Sequence, residues 1–229
     1  MAQKPIQWGT GVSERSWHPR RVLVYQMQMT KRLDRRRSWL LAIAFVRTSP
    51  YHRDHRDGHL ALDIAECSAD GAWDDATRIY MLSALDTWAL TAGGVVHDPP
   101  VDGFEGYYWS IAACMHEEPQ VVSVSRSVVE GAAYLARPAC REIVKRHGLL
   151  LRSMSASCDW FQREWASSDA VALARGIYAN KDWGSVPILA DALEDSGCDD
   201  EPTLTDMRDP AFPWHRGAVI LDVIRNTKL

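Results

Sequence analysis

The chain has 229 residues, of which 46% are hydrophobic and 24% charged, and its formal net charge is -4. This composition is typical of a globular protein with a sizeable core, and its acidic balance argues against a protein that coats nucleic acid. The five cysteines are odd in number and form no CxxC pair, which argues against a disulfide framework or a zinc knuckle.

The N-terminal third is predicted to be helical after a polar arm. Residues 1–19 are mixed and polar and are expected to be loosely held. In Arg20–Leu33, side chains alternate along the chain as they would on the two faces of a strand. The spacing of the apolar residues also suits a helix, and the downstream segments favour the helix. Arg36–Arg47 is apolar nearly all round, which predicts a buried central helix that Pro50 ends.

The middle of the chain continues with helical periodicity. Leu60, Ile64 and Cys67 share a face of a helix that Asp57 is expected to cap and Gly71 to end. After a proline-rich loop, Ser123–Gly148 predicts one or two helices divided near Pro138, and Leu149–Trp165 also reads as helical. A further apolar stripe precedes that loop, at Ala76, Ile79, Tyr80, Leu82, Ala84, Leu85, Trp88 and Ala89.

The C-terminal third has clear helix starts and stops. Asp169 is expected to cap a helix that runs to Tyr178. Asp182 is expected to cap the next, which carries Pro187 in its first turn and stops at Gly197. A last helix is expected from Trp214 to Arg225.

No strand-turn-strand or βαβ pattern occurs in the chain. We therefore expect an all-α fold, a single irregular multi-helix bundle or helical-repeat-like array of about eight to ten helices. Its regions would be the polar arm at 1–19, a helical N-terminal region at 20–160, and a C-terminal helical module at 161–229 packed on it. The lack of a long apolar run predicts a soluble, cytoplasmic protein without a membrane segment.

The C-terminal part resembles an uncharacterised paralogous family of helical bacterial proteins, seen chiefly in planctomycete-type genomes. The stretch AVALARGIYANKDWGSVPILADALEDSGCDD carries this likeness, with Arg216-Gly217 and Asp222. A weaker likeness covers RRRSWLLAIAFVR and ALDIAECSADG, so the specific match is limited to the last sixty residues. The resemblance implies an all-helical fold and no particular activity.

The chain departs from that family's pattern at three positions. Asp206 and Met207 stand where the family carries a His-Cys pair, and Trp214 stands where it carries a histidine, with His215 one place later. If those family residues bind metal or attack a substrate, we expect this chain to lack that ability.

The stretch YHRDHRDGH is the most chemical-looking part of the sequence. His52, His55 and His59 are spaced three and four apart, so on a helix they would share a face and could bind zinc. Pro50 and Gly58 flank a polar run, however, which favours a connector between two helices over a metal site.

A basic run supplies a second alternative, contact with nucleic acid. Its five cations could meet phosphates, although no aromatic platform is interleaved with them, which favours a helix junction on a solvated face over this contact. They are Lys31, Arg32, Arg35, Arg36 and Arg37.

Charge is distributed unevenly along the chain. The segment between Glu14 and His59 contains eleven Lys and Arg residues and four Asp and Glu residues. The segment between Asp182 and Pro210 contains one Arg and nine acidic residues. Both segments are ordinarily solvated faces, but they could attract each other within one molecule or between two. Arg216 is expected near the start of the last helix, against the dipole preference, with a partner in the acidic stretch Asp199–Asp209.

These patterns favour a non-enzymatic helical protein–protein interaction module: an adaptor, regulator or inhibitor of a partner protein. The ten tryptophans exceed what a core needs, and no catalytic residue set or cofactor motif is present. A homo-oligomer and a metal-binding or hydrolytic enzyme built on the three histidines are the alternatives. The candidate interaction residues are Trp214, Arg216, Asp199, Asp200 and Trp183.

Overall fold

The computed structural model is all-helical, as expected, over the residues that it describes: 33–50, 52, 56–71, 76, 77, 79, 80, 83, 111, 114, 124, 128, 137–155, 158 and 160–226. Seven α-helices have both ends within this part, which contains no strand and a few further helical residues, against eight to ten helices expected for the whole chain. The helices are α1 (Arg35–Arg47), α2 (Arg56–Ala69), α3 (Arg137–Ser155), α4 (Ser168–Asn180), α5 (Val186–Asp195), α6 (Glu201–Arg208) and α7 (Val219–Asn226).

Helix α1 is the buried central helix that its sequence predicts. Asp34 caps it, with the carboxylate accepting a hydrogen bond from the Arg37 backbone N–H at 2.7 Å. Every residue from Trp39 to Val46 is buried, so the helix is surrounded on all sides. It ends at Arg47, three residues before Pro50.

Helices α2 and α3 complete a first hydrophobic core around α1. Helix α2 begins at Arg56, so Asp57 lies in its first turn and not at the position before it, where a cap was expected, whereas Gly71, with φ +77°, follows its end as expected. Helix α3 begins beside Pro138, where a division was expected, but ends at Ser155. The expected helix up to Trp165 is wrong, because Arg163–Trp165 is a separate 3-10 turn whose Trp165 packs on a second core.

Three residues of the predicted middle stripe lie on the surface. Ala76, Ile79 and Tyr80 are helical, but their side chains are exposed, so they do not belong to a buried face. The polar arm at 1–19, most of Arg20–Leu33 and the loop after Gly94 lie outside the described residues.

Helices α4 to α7 surround the second core. Ser167, rather than the expected Asp169, caps α4 by accepting from the Ala170 backbone N–H at 3.3 Å. Pro187 lies in the first turn of α5 as expected, where its missing N–H costs no hydrogen bond. No described helix is long and apolar enough to cross a membrane.

The last helix is shorter than its sequence suggests. It begins at Val219, so Trp214, His215 and Arg216 lie in the turn before it and not in its first turn as expected. Gly217 imposes this start, because its φ of +88° is incompatible with a continuing helix. A Cβ there would also lie 2.5 Å from Met154 Cε and 2.9 Å from Leu40 Cδ1.

Candidate functional site

Charged side chains from both cores meet between α1, α2, α4, the turn after α4, and the region of α7. Arg36 of α1 lies at the centre: it donates to Asp222 Oδ2 at 2.7 Å, to Asp70 Oδ1 at 2.7 and 2.9 Å, and to the Tyr178 hydroxyl at 2.6 Å. Burial alone would lower the pKa of the Arg36 guanidinium, but hydrogen bonds and attraction to Asp222 and Asp70 raise it. We call this group the charged junction; its main members are Arg36, Asp70, Tyr178, Lys181, Arg216 and Asp222.

Tyr178 is held on every side within the charged junction. Its hydroxyl donates to Asp70 at 3.0 Å, and its ring lies 3.7 Å from the Arg225 guanidinium carbon and 5.0 Å from that of Arg216. Burial and the nearby Asp70 carboxylate raise the pKa of Tyr178. The phenol therefore stays protonated near neutral pH, which does not suit a general base or a nucleophile.

Arg216 has the tertiary ion pairs that its position suggests, but with different partners. Its Nη1 donates to Asp70 Oδ2 at 3.1 Å, and its Nε lies 3.8 Å from Glu66 Oε2. The expectation of a partner in Asp199–Asp209 is wrong, because the turn that carries Arg216 faces α2. With its side chain only 13% exposed, Arg216 is committed to this contact.

Lys181 forms the outer edge of the charged junction. Its ammonium lies 2.5 Å from Asp63 Oδ1 and 2.8 Å from Glu66 Oε2, and Arg47 contacts the same two carboxylates at 2.7 and 3.0 Å. Burial would raise the pKa of Asp63, but the hydrogen bonds from Lys181 and Arg47 outweigh it and lower that pKa. Acids of α2 thus face cations from both cores.

Two buried histidines and two buried cysteines outside the charged junction are held in neutral forms. Burial lowers the pKa of His147 to about 3 and of His215 to about 4, and it raises the pKa of the Cys114 and Cys198 thiols. Neutral thiols are weak nucleophiles. None of these four groups is therefore set up for nucleophilic catalysis.

The five candidate interaction residues lie in different environments. Arg216 belongs to the charged junction, and Asp200 caps α6 by accepting from the Thr203 backbone N–H at 3.1 Å. Trp183 and Trp214 are half-buried against the second core, and Trp214 Nε1 is buried without a hydrogen-bond partner in the described part of the chain. Asp199 alone of the five is exposed.

An exposed stripe next to Asp199 was not singled out from the sequence. Ile188, Asp191 and Asp195 are spaced three and four apart on α5 and are all exposed, while Val186, Leu189, Ala190 and Leu193 of the same helix are buried. We call Ile188, Asp191, Asp195 and the following Asp199 the α5 face. Of the tryptophans that the structure describes, Trp160 is the most exposed, at 36%.

The basic run is partly used inside the molecule. Arg36 is bound in the charged junction, Arg37 lies 3.7 Å from the Asp34 carboxylate, and the Arg35 guanidinium lies 4.8 Å over the Trp39 ring. Lys31 and Arg32 lie outside the described residues. Arg36 in particular is not available to a phosphate.

The structure brings two of the three histidines together. The rings of His52 and His59 have centroids 3.8 Å apart, and His52 is buried. His55 lies outside the described residues. Within the described ranges, no group of three or more His, Cys, Asp or Glu side chains is arranged to hold a metal ion.

The sequence carries a signal for the charged junction at Asp222. Asp222 is an acid within the apolar run Val219–Ile224. A charge in such a position needs a buried partner of opposite sign.

Comparison of the chain with protein-family models, curated proteins and solved structures finds no match.

Proposed function

We propose that this chain is a non-enzymatic, cytoplasmic helical protein-interaction module, an adaptor, regulator or inhibitor, and that the α5 face is its contact surface. The observation that carries the proposal is Ile188, which is 58% exposed and lies in line with exposed carboxylates on a helix whose other side is buried. An apolar contact bordered by charge is the usual arrangement of a protein–protein interface.

The charge of the α5 face indicates the chemistry of the partner. Arg208 pairs with Asp191 and with Glu194, which neutralises part of the surface. Asp195 and Asp199 remain exposed beyond these pairs. A complementary partner surface would present an apolar pocket for Ile188 and Lys or Arg side chains for the two carboxylates.

The state of the reactive groups supports a binding role over catalysis. Tyr178 is protonated and enclosed by its partners, and His147 and His215 are buried and neutral. The charges of the charged junction are directed at one another and stabilise the fold. These groups are used for structure in the described part of the chain.

The test is a tagged pull-down from native cells, with and without nuclease, read by mass spectrometry. The wild type is compared with Ile188→Gln, and the control is Leu60→Gln on α2, because Leu60 is exposed to the same degree, 57%. We expect one stoichiometric protein that survives nuclease, weakened about tenfold by Ile188→Gln and unchanged by Leu60→Gln. Equal capture of the partner by the wild type and both variants, or loss of the captured protein after nuclease treatment, contradicts the proposal.

A charge change tests the partner chemistry separately. Asp199→Lys is expected to slow association with the captured protein, because rim charges act on the association rate. Glu142→Lys is the control, since Glu142 is exposed on α3, outside the α5 face. If both variants associate at the wild-type rate, the partner surface is not basic.

The alternative is a metal-binding protein centred on the histidine stretch. The contact between His52 and His59 supports it, because two imidazoles that meet can share a metal ion. The test is the zinc content of the protein after equilibration with zinc and desalting. One equivalent of zinc in the wild type that is lost in His59→Ala supports this alternative, and no bound zinc removes it.

A further inference from the structure

The buried apolar residues form two clusters that share no member. One is built from α1, α2 and α3, with residues such as Phe45, Leu62 and Leu151, and the other from α4 to α7, with residues such as Leu189 and Leu221. We call the helices around the first cluster the N-terminal module and those around the second the C-terminal module.

Several charged contacts cross the boundary between the two modules. On the side of the C-terminal module, Arg216 contacts Asp70, which directly follows α2, and Lys181 contacts Asp63 and Glu66 of α2. Arg36 reaches in the opposite direction, to Asp222 of α7.

The α3 side of the boundary shows the same character. Arg152 forms an ion pair with Asp206 and lies 5.5 Å from the Phe212 ring. An apolar contact also crosses here, where Gly217 fits closely against Leu40 and Met154.

This composition makes the boundary sensitive to conditions that leave the two cores unchanged. Salt screens charges that water can reach, which applies most to the ion pair of Lys181 with Asp63, whose side chains are 31% and 48% exposed. The side chains of Asp222, Glu66 and Arg216 are 7%, 8% and 13% exposed, so their ion pairs are screened less. Apolar burial within each module is not weakened by salt. Polar interfaces between the units of one chain commonly allow those units to move relative to each other.

We propose that the charged junction is a salt-sensitive latch, and that weakening its ion pairs lets the C-terminal module separate from the N-terminal module while both stay folded. Separation uncovers the acidic edge of α2, formed by Asp63, Glu66 and Asp70, and frees Arg216. This conformational change is independent of the function proposed above, because it does not involve the α5 face.

The experiment is hydrogen exchange of the full chain, followed by mass spectrometry at about 0.05 M and about 1 M sodium chloride. We expect high salt to speed exchange about tenfold at Glu66–Gly71 and His215–Asp222, while Leu41–Phe45 and Leu189–Leu193 keep their protection. No salt effect at the first two segments, or an equal increase at all four, overturns the latch.

Two matched variants extend the test at low salt. Arg216→Met removes a guanidinium that bridges two carboxylates across the boundary, and Arg208→Met removes one that bridges two carboxylates within the C-terminal module. We expect Arg216→Met alone to reproduce the high-salt pattern. The same pattern in both variants, or in neither, overturns the latch; if Arg216→Met does not fold, the salt series on the wild type decides.

Discussion

At Gly217, both the backbone conformation and the packing require a residue without a side chain. Its φ of +88° favours glycine, and an added Cβ would meet Met154 and Leu40 at less than 3 Å. We therefore expect Gly217→Ala to lower the free energy of unfolding by about 2 kcal/mol or more, measured by urea denaturation.

Two other glycines separate the two causes at Gly217. Gly197 also has a positive φ, +92°, but open space around its Cβ position, so Gly197→Ala is expected to cost only the backbone strain, about 1 kcal/mol. Gly176 lies within α4 with open space, so Gly176→Ala is expected to stabilise by about 0.5 kcal/mol. Equal effects of all three substitutions would contradict this account.

His147 makes stability depend on pH. It is fully buried, stacks on Phe45 with centroids 4.1 Å apart, and has Nε2 2.8 Å from the Thr48 hydroxyl, which itself donates to the Phe45 carbonyl. Burial lowers its pKa from 6.5 to about 3. Between these two pKa values the unfolded chain binds a proton at His147 and the folded chain does not. The contribution of His147 to the free energy of unfolding is therefore fully present above the unfolded pKa of about 6.5 and is lost as the pH falls towards 3.

The corresponding measurement is the urea midpoint between about pH 7.5 and pH 5. His147 alone is expected to remove about 2 kcal/mol over this range, and His215 acts in the same direction. His147→Gln, which keeps a donor for Thr48, should show a flatter pH dependence whatever its absolute stability. A slope equal to that of the wild type would contradict the assignment of a neutral buried imidazole.

Neighbouring acids before α6 differ in what they do for the helix. Asp200 accepts a hydrogen bond from the Thr203 backbone N–H, whereas Asp199 is exposed and lies one residue outside the cap. Asp200→Ala is expected to cost about 1 kcal/mol in thermal or urea unfolding, and Asp199→Ala close to none. Equal costs would mean that the hydrogen bond does not stabilise α6.

At the scale of elements, the sequence predicted helices better than their ends. Ser167 caps α4 although Asp169 was expected, because either side chain can accept and the backbone path decides which one meets a free N–H. The start of the last helix was predicted five residues too early, at Trp214, because the positive φ of Gly217, which keeps the helix from beginning before Val219, is set by the tertiary packing and not by the periodicity.

At the scale of the whole molecule, Arg36 and Asp222 join the two modules. Arg36→Met leaves Asp222, whose side chain is only 7% exposed, without its closest cation, so we expect a loss of about 2 kcal/mol in the free energy of unfolding. Arg36→Met combined with Asp222→Leu removes both charges and should recover part of that loss. A double variant as unstable as the sum of the single ones would show that the pair is not coupled.

The sequence by itself determined the fold class, the buried course of α1 and the presence of α4, α5 and α7, because hydrophobic periodicity acts over a few neighbouring residues. It did not determine the caps, since Ser167 and Ser185 occupy the capping positions of α4 and α5 expected for Asp169 and Asp182. It also indicated that Arg216 needs a partner. Only the tertiary structure decided that the partners are Asp70 and Glu66, about 150 residues away along the chain. The sequence pattern indicates that a charged side chain requires a partner of opposite sign. The packing of helices that are distant in sequence decides which residue is that partner.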